Sequence, residues 1–87
     1  MKIKENFLLR KISDSYIVVP VGDAVVDFSG LINLNETGAL LFETMQKGCD
    51  EEELVKILLQ KYDVSEEIAR ADVRAFVKKA KEADILE

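Results

Sequence analysis

A chain of 87 residues, 48% hydrophobic and 33% charged, is long enough for one small two-layer domain and too short for a deep catalytic cavity with lids. Seventeen acids against twelve bases give a net charge of -5, which disfavours non-specific binding to nucleic acid or to an anionic membrane. There is no histidine, the commonest general base and metal ligand, and a single cysteine, so no internal disulfide forms and a reducing cytoplasm is the expected setting.

In chain order, Met1 to Asn6 is charged and has no apolar run of signal length, and no stretch approaches the roughly 18 apolar residues of a membrane span. Phe7 to Ile12 and Tyr16 to Val21 read as two strands joined by the polar loop Ser13-Asp14-Ser15. Pro20 donates no ladder hydrogen bond, so the second strand ends there or runs along an edge. Gly22-Asp23 supplies a turn, Ala24 to Phe28 a third short strand, Ser29-Gly30 another turn, and Leu31 to Leu34 a last strand. At Asn35 the apolar period switches from strand to helix. Its side chain suits a helix N-cap, and Glu36 complements the dipole of the first turn.

Helical spacing runs from Glu36 to about Lys47, with Gly48 placed as a left-handed stop. Gly38, Leu41, Phe42 and Met45 share one face and Leu40 falls outside it. Asp50 followed by Glu53 opens a second helix, which presents Leu54, Val55, Leu58 and Tyr62 on one side with Ile57 and Leu59 flanking. Ser65 caps a third helix reaching about Ala83, with Ala69, Val73, Phe76 and Ala80 as its core stripe and Val77 at the margin. Ile85 and Leu86 fold back as a short terminal strand or apolar tail. Strands first and helices after place the chain in the α+β class. The outline is that of a winged helix-turn-helix: an N-terminal antiparallel sheet of three or four short strands followed by three α-helices, in a single domain over residues 1–87.

Catalytic and metal-binding patterns are lacking. Cys49 stands beside Asp50, whose charge opposes thiolate formation, and reads as a packed turn residue. The run Asp50 to Glu53 is accounted for by helix capping, without the shaped loop of oxygen ligands that calcium requires, and the four glycines spell no phosphate-binding loop. On the third helix Arg70, Arg74, Lys78 and Lys81 fall within a sector of roughly 80 degrees beside the apolar stripe. This is either a solvated face complementing the helix dipole or a basic wall beside a groove for an acidic segment. Asp72, Glu82 and Asp84 break up the positive charge elsewhere, which speaks against a DNA-recognition helix. The strand Leu31 to Leu34 is either interior to the sheet or a free edge able to pair with an extended peptide.

Ser15-Tyr16-Ile17-Val18-Val19-Pro20-Val21-Gly22, Asp27 through the junction Leu34-Asn35-Glu36-Thr37-Gly38, Leu54 through Tyr62-Asp63-Val64, and Ala69-Arg70-Ala71-Asp72-Val73 occur in an order and spacing that resembles the PqqD-like family over nearly the whole chain. The resemblance implies a RiPP recognition element: a non-catalytic, cytoplasmic peptide chaperone of natural product biosynthesis. Such a protein binds the leader of a ribosomally made precursor peptide by strand addition and presents it to a modifying enzyme, such as a radical S-adenosylmethionine maturase. Carried onto this chain, Leu31, Ile32, Asn33 and Leu34 would pair with the leader backbone. Arg70, Val73, Arg74, Val77, Lys78 and Lys81 would supply pockets and charge. No cofactor, metal, nucleic acid or membrane is implied, and a monomer or weak dimer is expected. The competing expectation is a winged-helix transcription factor, whose DNA affinity would fall steeply with salt and which would dimerise on paired half-sites.

Overall fold

Short apolar runs rich in Leu, Ile and Val on either side of Ser13-Asp14 build a hairpin, and capped helices follow; the computed structural model describes residues 1–22 and 32–87 of this arrangement. Strand β1 (Phe7–Ile12) pairs antiparallel with β2 (Ser15–Pro20), and β2 pairs antiparallel with β3 (Ile32–Leu34), giving the order β1-β2-β3. Helices α1 (Glu36–Gln46), α2 (Glu51–Lys61) and α3 (Glu66–Glu82) complete the chain. The α+β class and the order of strands before helices are as expected. The expected strand Ala24 to Phe28, the turn Ser29-Gly30 and Leu31 lie outside the described residues.

The expected three-residue hairpin loop is a two-residue turn. Ser15 belongs to β2 and faces Ile12 across the ladder, while Ser13, at φ 57, takes the left-handed conformation that tight hairpins demand at their first central residue. Strand β2 ends at Pro20. Beyond it the Val21 amide still donates to Asn6 O at 2.9 Å, which makes 6 and 21 a hydrogen-bonded pair. Alternation along the register then points the backbone groups of Val19, Ile17 and Ser15 at β1, and those of Pro20, Val18 and Tyr16 at the β3 side. Proline's missing donor therefore removes no bond from the hairpin.

Each helix begins at the cap read from the sequence. Asn35 Oδ1 accepts from Gly38 N at 2.8 Å, Asp50 Oδ1 from Glu53 N at 2.8 Å and Ser65 Oγ from Ile68 N at 3.2 Å. Gly48, at φ 88, takes the left-handed position after α1. Helix α3 ends in a Schellman motif: Ile85 N donates to Ala80 O and Asp84 N to Lys81 O, with Asp84 at φ 58 where glycine is usual.

The core lies between the sheet and the helices. Val18 and Leu34 from the sheet meet Leu41, Phe42 and Met45 of α1, Leu54, Val55 and Leu58 of α2, and Ala69, Val73, Val77 and Ala80 of α3. Two expectations about it are corrected, and one unforeseen residue, Ile3, joins it. Val77 is 3% exposed and belongs to the core instead of its margin, whereas Phe76 is only half-buried. Tyr62 is half-buried because it sits at the C-cap of α2 with an extended backbone, off the helix face. Ile3 is 2% exposed and forms an antiparallel bridge with Leu86, so the charged N-terminal segment closes over the core together with the C-terminal tail. Its amide donates to Met45 O at 3.0 Å, and the Lys4 amide to Ile85 O at 2.9 Å.

Candidate functional site

Strand β3 is paired on one side, with β2; among the described strands none lies on its other side. The register Tyr16 to Leu34, Ile17 to Asn33 and Val18 to Ile32 assigns the backbone groups of Ile32 and Leu34 to β2. Those of Asn33 consequently point outward. Ile32 and Leu34 turn their side chains toward the helices, while Asn33 is exposed.

Against this edge runs one flank of α3. Ile32, Leu34, Phe42, Phe76, Lys79, Ala80 and Ile85 surround an apolar slot with room for about one water molecule. It opens beside a larger cleft of about 330 Å³, where Asn33, Asn35 and Thr37 face Asp72, Ala75, Phe76 and Lys79. Phe76 is a wall of both. Ile32 shares the slot with Ala80 and Ile85, whereas Asn35 and Thr37 share the cleft with Asp72, the order that results when α3 runs antiparallel to β3.

The junction that leads from β3 into α1 holds the floor of the cleft. A Cβ added at Gly38 would lie 3.3 Å from Leu34 Cβ, Leu34 Cδ2 and Asn35 Oδ1, so a side chain here would press on both the strand and the cap, and glycine lets the first turn of α1 approach the strand without that crowding. Asn35 and Gly38 therefore have structural roles, one as cap and one as close contact.

Of the site residues expected from the sequence, Ile32, Asn33 and Leu34 sit on this edge, and Leu31 lies outside the described residues. The α3 residues divide differently from expectation. Val73 and Val77 are 1% and 3% exposed and face the core, so they offer no pocket surface. Arg70, Arg74, Lys78 and Lys81 occupy the flank on the far side of the core stripe from Phe76. Arg70 on that flank reaches α2, where Nη1 and Nη2 bond both carboxylate oxygens of Glu52 at 2.7 and 3.0 Å, and Nη2 also reaches Glu66 at 3.3 Å. The paired guanidinium holds the Glu52 carboxyl below its ordinary range, and the same bonds raise Arg70 further above its own. The basic sector thus borders α2 instead of forming the wall of the β3 cleft.

Sequence reasoning missed Asp72, Ala75, Phe76 and Lys79 as cleft residues. Their spacing marks them as a common flank, but only the packing of α3 on α2 shows which flank stays open. Asp72 and Lys79 are both exposed and, among the described residues, neither has an ion-pair or hydrogen-bond partner for its side chain.

Cys49 has the inert character expected of it. It is 9% exposed, and burial, with Glu53 and Asp50 adding to it against the Met1 ammonium, pushes its thiol up. Among the described residues, no group of three or more Cys, Asp or Glu side chains is arranged to hold a metal ion, and no helix is long and apolar enough to cross a membrane.

Comparison with known proteins bears on the same geometry. The family model described as coenzyme PQQ synthesis protein D (PqqD) matches residues 16–86. Among solved structures, TbiB1 in complex with the TbiA(beta) leader peptide superposes with a TM-score of 0.79 at 21% identity, covering 100% of this chain and 95% of that one. Lasso peptide synthetase B1 complexed with the leader peptide gives a TM-score of 0.71 at 20% identity, over 93% of this chain and 89% of that one. At such identities the likeness is one of fold. No curated protein shows significant sequence similarity to the chain.

Proposed function

Because the chain belongs to the PqqD family, we propose that it is a non-catalytic peptide chaperone that captures the leader of a ribosomally synthesised precursor peptide and presents it to a modifying enzyme. The observation that carries the reading is the β3 edge, with outward-facing backbone groups at Asn33, set beside a cleft walled by α3 with an apolar slot next to it. An extended peptide added there gains main-chain hydrogen bonds from the strand and places alternate side chains against Phe76 and its neighbours. Two solved relatives in fold carry a leader peptide in their complexes, which supports the same use of this fold here.

Leu31, Ile32, Asn33 and Leu34 are the residues proposed to pair with the leader. The basic residues Arg74, Lys78 and Lys81, on the other flank of α3, are free to meet the modifying enzyme, for which a radical S-adenosylmethionine maturase is the proposed class. The protein acts in this reading as a cytoplasmic monomer or weak dimer without a cofactor. A DNA-binding role fits less well: the net charge is -5, and Arg70 of α3 is already engaged by Glu52 and Glu66.

The test is a search of the neighbouring reading frames for a short precursor peptide, followed by titration of the isotope-labelled chain with a synthetic peptide of its leader. Amide shifts are expected together at Ile32 to Leu34 and at Asp72 to Lys79. Shifts confined to β1, at the opposite edge of the sheet, would sink the assignment.

A further inference from the structure

Two unpartnered charges of opposite sign stand at the two ends of the cleft, and from their order along α3 we infer that Asp72 and Lys79 set the direction and charge order of the peptide it accepts. This rests on the strand-addition reading above and specifies the ligand. Both neighbouring pairs among the described strands are antiparallel, so an added strand extends the sheet most favourably by running antiparallel to β3. Helix α3 is itself antiparallel to β3. The incoming peptide therefore travels along α3 in the same direction as the helix and meets Asp72 first, then Phe76, then Lys79.

The spacing can be converted into a pattern. At about 1.5 Å of rise per residue, Phe76 lies about 6 Å and Lys79 about 10.5 Å beyond Asp72 along the helix axis. Side chains of a strand that face one layer recur about every 6.8 Å. A residue opposite Asp72 is thus followed two positions later by one opposite Phe76. Two positions later again comes a side chain about 3 Å beyond the Lys79 backbone, a gap that a lysine stem spans. The cleft accordingly selects a cation, then an apolar residue, then an acid at alternate positions, with the cation nearer the peptide's N-terminus. Arg70 and its neighbours contribute nothing to this order, because they lie on the opposite flank.

A displayed library of random 12-residue peptides, selected in parallel on the intact chain and on its D72K/K79D variant, tests the inference. Both substituted positions are exposed and without partners, so the variant retains the fold. Cleft binders are identified as selected peptides that shift the amides of Ile32 to Leu34. Those from the unaltered chain are expected to carry Lys or Arg at position i, an apolar residue at i+2 and Asp or Glu at i+4, and those from the variant the reverse charge order. Moving a selected peptide to the opposite protein should weaken binding about threefold to tenfold, and exchanging its two charges should restore it. Cleft binders with no charge order, with the same order from both proteins, or with the acid first on the unaltered chain overturn the inference and leave strand addition standing. If no selected peptide shifts Ile32 to Leu34, strand addition fails and the inference falls with it.

Discussion

Val77 and Phe76 show how much hangs on the rotation of one helix. With residues placed 100 degrees apart, the two stand about equally far on either side of the line through Val73 and Ala80, so helical period alone does not say which is covered. Packing on α2 covers Val77, leaving Phe76 to wall the cleft. Val77→Asp should therefore destabilise the domain severely, since an unpaired carboxylate in the core costs about 3–5 kcal/mol. Phe76→Ala should leave it folded, with a stability loss of about 1–3 kcal/mol and leader binding weakened about tenfold. Urea unfolding of both, with a leader titration of the second, distinguishes the positions; an unchanged midpoint for Val77→Asp would reverse them. The Glu52 to Arg70 pair gives a prediction in pH. The carboxyl titrates below its ordinary value of 4.5 in the folded chain, so its contribution is complete above 4.5 and is lost as pH falls through the lower folded value. Glu52→Gln should accordingly be less stable than the unaltered chain at pH 7, and the difference should shrink in melts at pH 3. A gap that stays constant would mean the pair is uncoupled from folding.

At the scale of elements, what depends on neighbours in sequence was legible and what depends on distant partners was not. Asn35, Asp50 and Ser65 were identifiable as caps because an N-cap acts within its own first turn, and each accepts the expected amide. Leu54, Val55 and Leu58 were legible as a buried stripe for the same reason. The basic sector of α3 was also legible as a sector. Its partner was not, because Glu52, eighteen positions away in sequence, meets Arg70 only through the packing of α2 on α3. The end of α3 was legible at about Ala83, where the C-cap stands, but the Schellman turn that closes it was not, because a left-handed Asp84 leaves no glycine to signal it. That substitution has a cost: a non-glycine residue at φ 58, with a negative charge at the helix C-terminus, against an exposed ion pair with Lys4 at 3.3 Å. Asp84→Gly should gain roughly 0.5 kcal/mol net, or about 2–4 °C in thermal midpoint. A drop in the midpoint would show that the Lys4 pair outweighs the backbone strain.

Across the whole molecule, the two ends of the described chain close the fold and also border the cleft. Ile3 lies between Lys2 and Lys4 in a charged segment with no apolar run, so nothing local marked it for burial, yet it is 2% exposed and paired to Leu86. The Lys4 amide holds Ile85 O, and the Ile85 side chain lines the slot beneath the peptide cleft. Ile85 is fixed a second time by its own amide on Ala80 O, so the slot does not depend on the N-terminal segment alone. Ile3→Ala should then act on folding far more than on recognition. Its expected cost is about 2–5 kcal/mol, a large part of the roughly 4–13 kcal/mol available to a domain of this size. A ligand that binds only the folded chain returns about 2.7 kcal/mol at one hundred times its dissociation constant. Leader peptide at that excess should raise the unfolding free energy of Ile3→Ala and of the unaltered chain by the same amount, offsetting much or all of the loss. Chemical unfolding with and without the leader measures both quantities. An Ile3→Ala chain that leader fails to stabilise would show instead that the N-terminal segment shapes the slot as well as the fold.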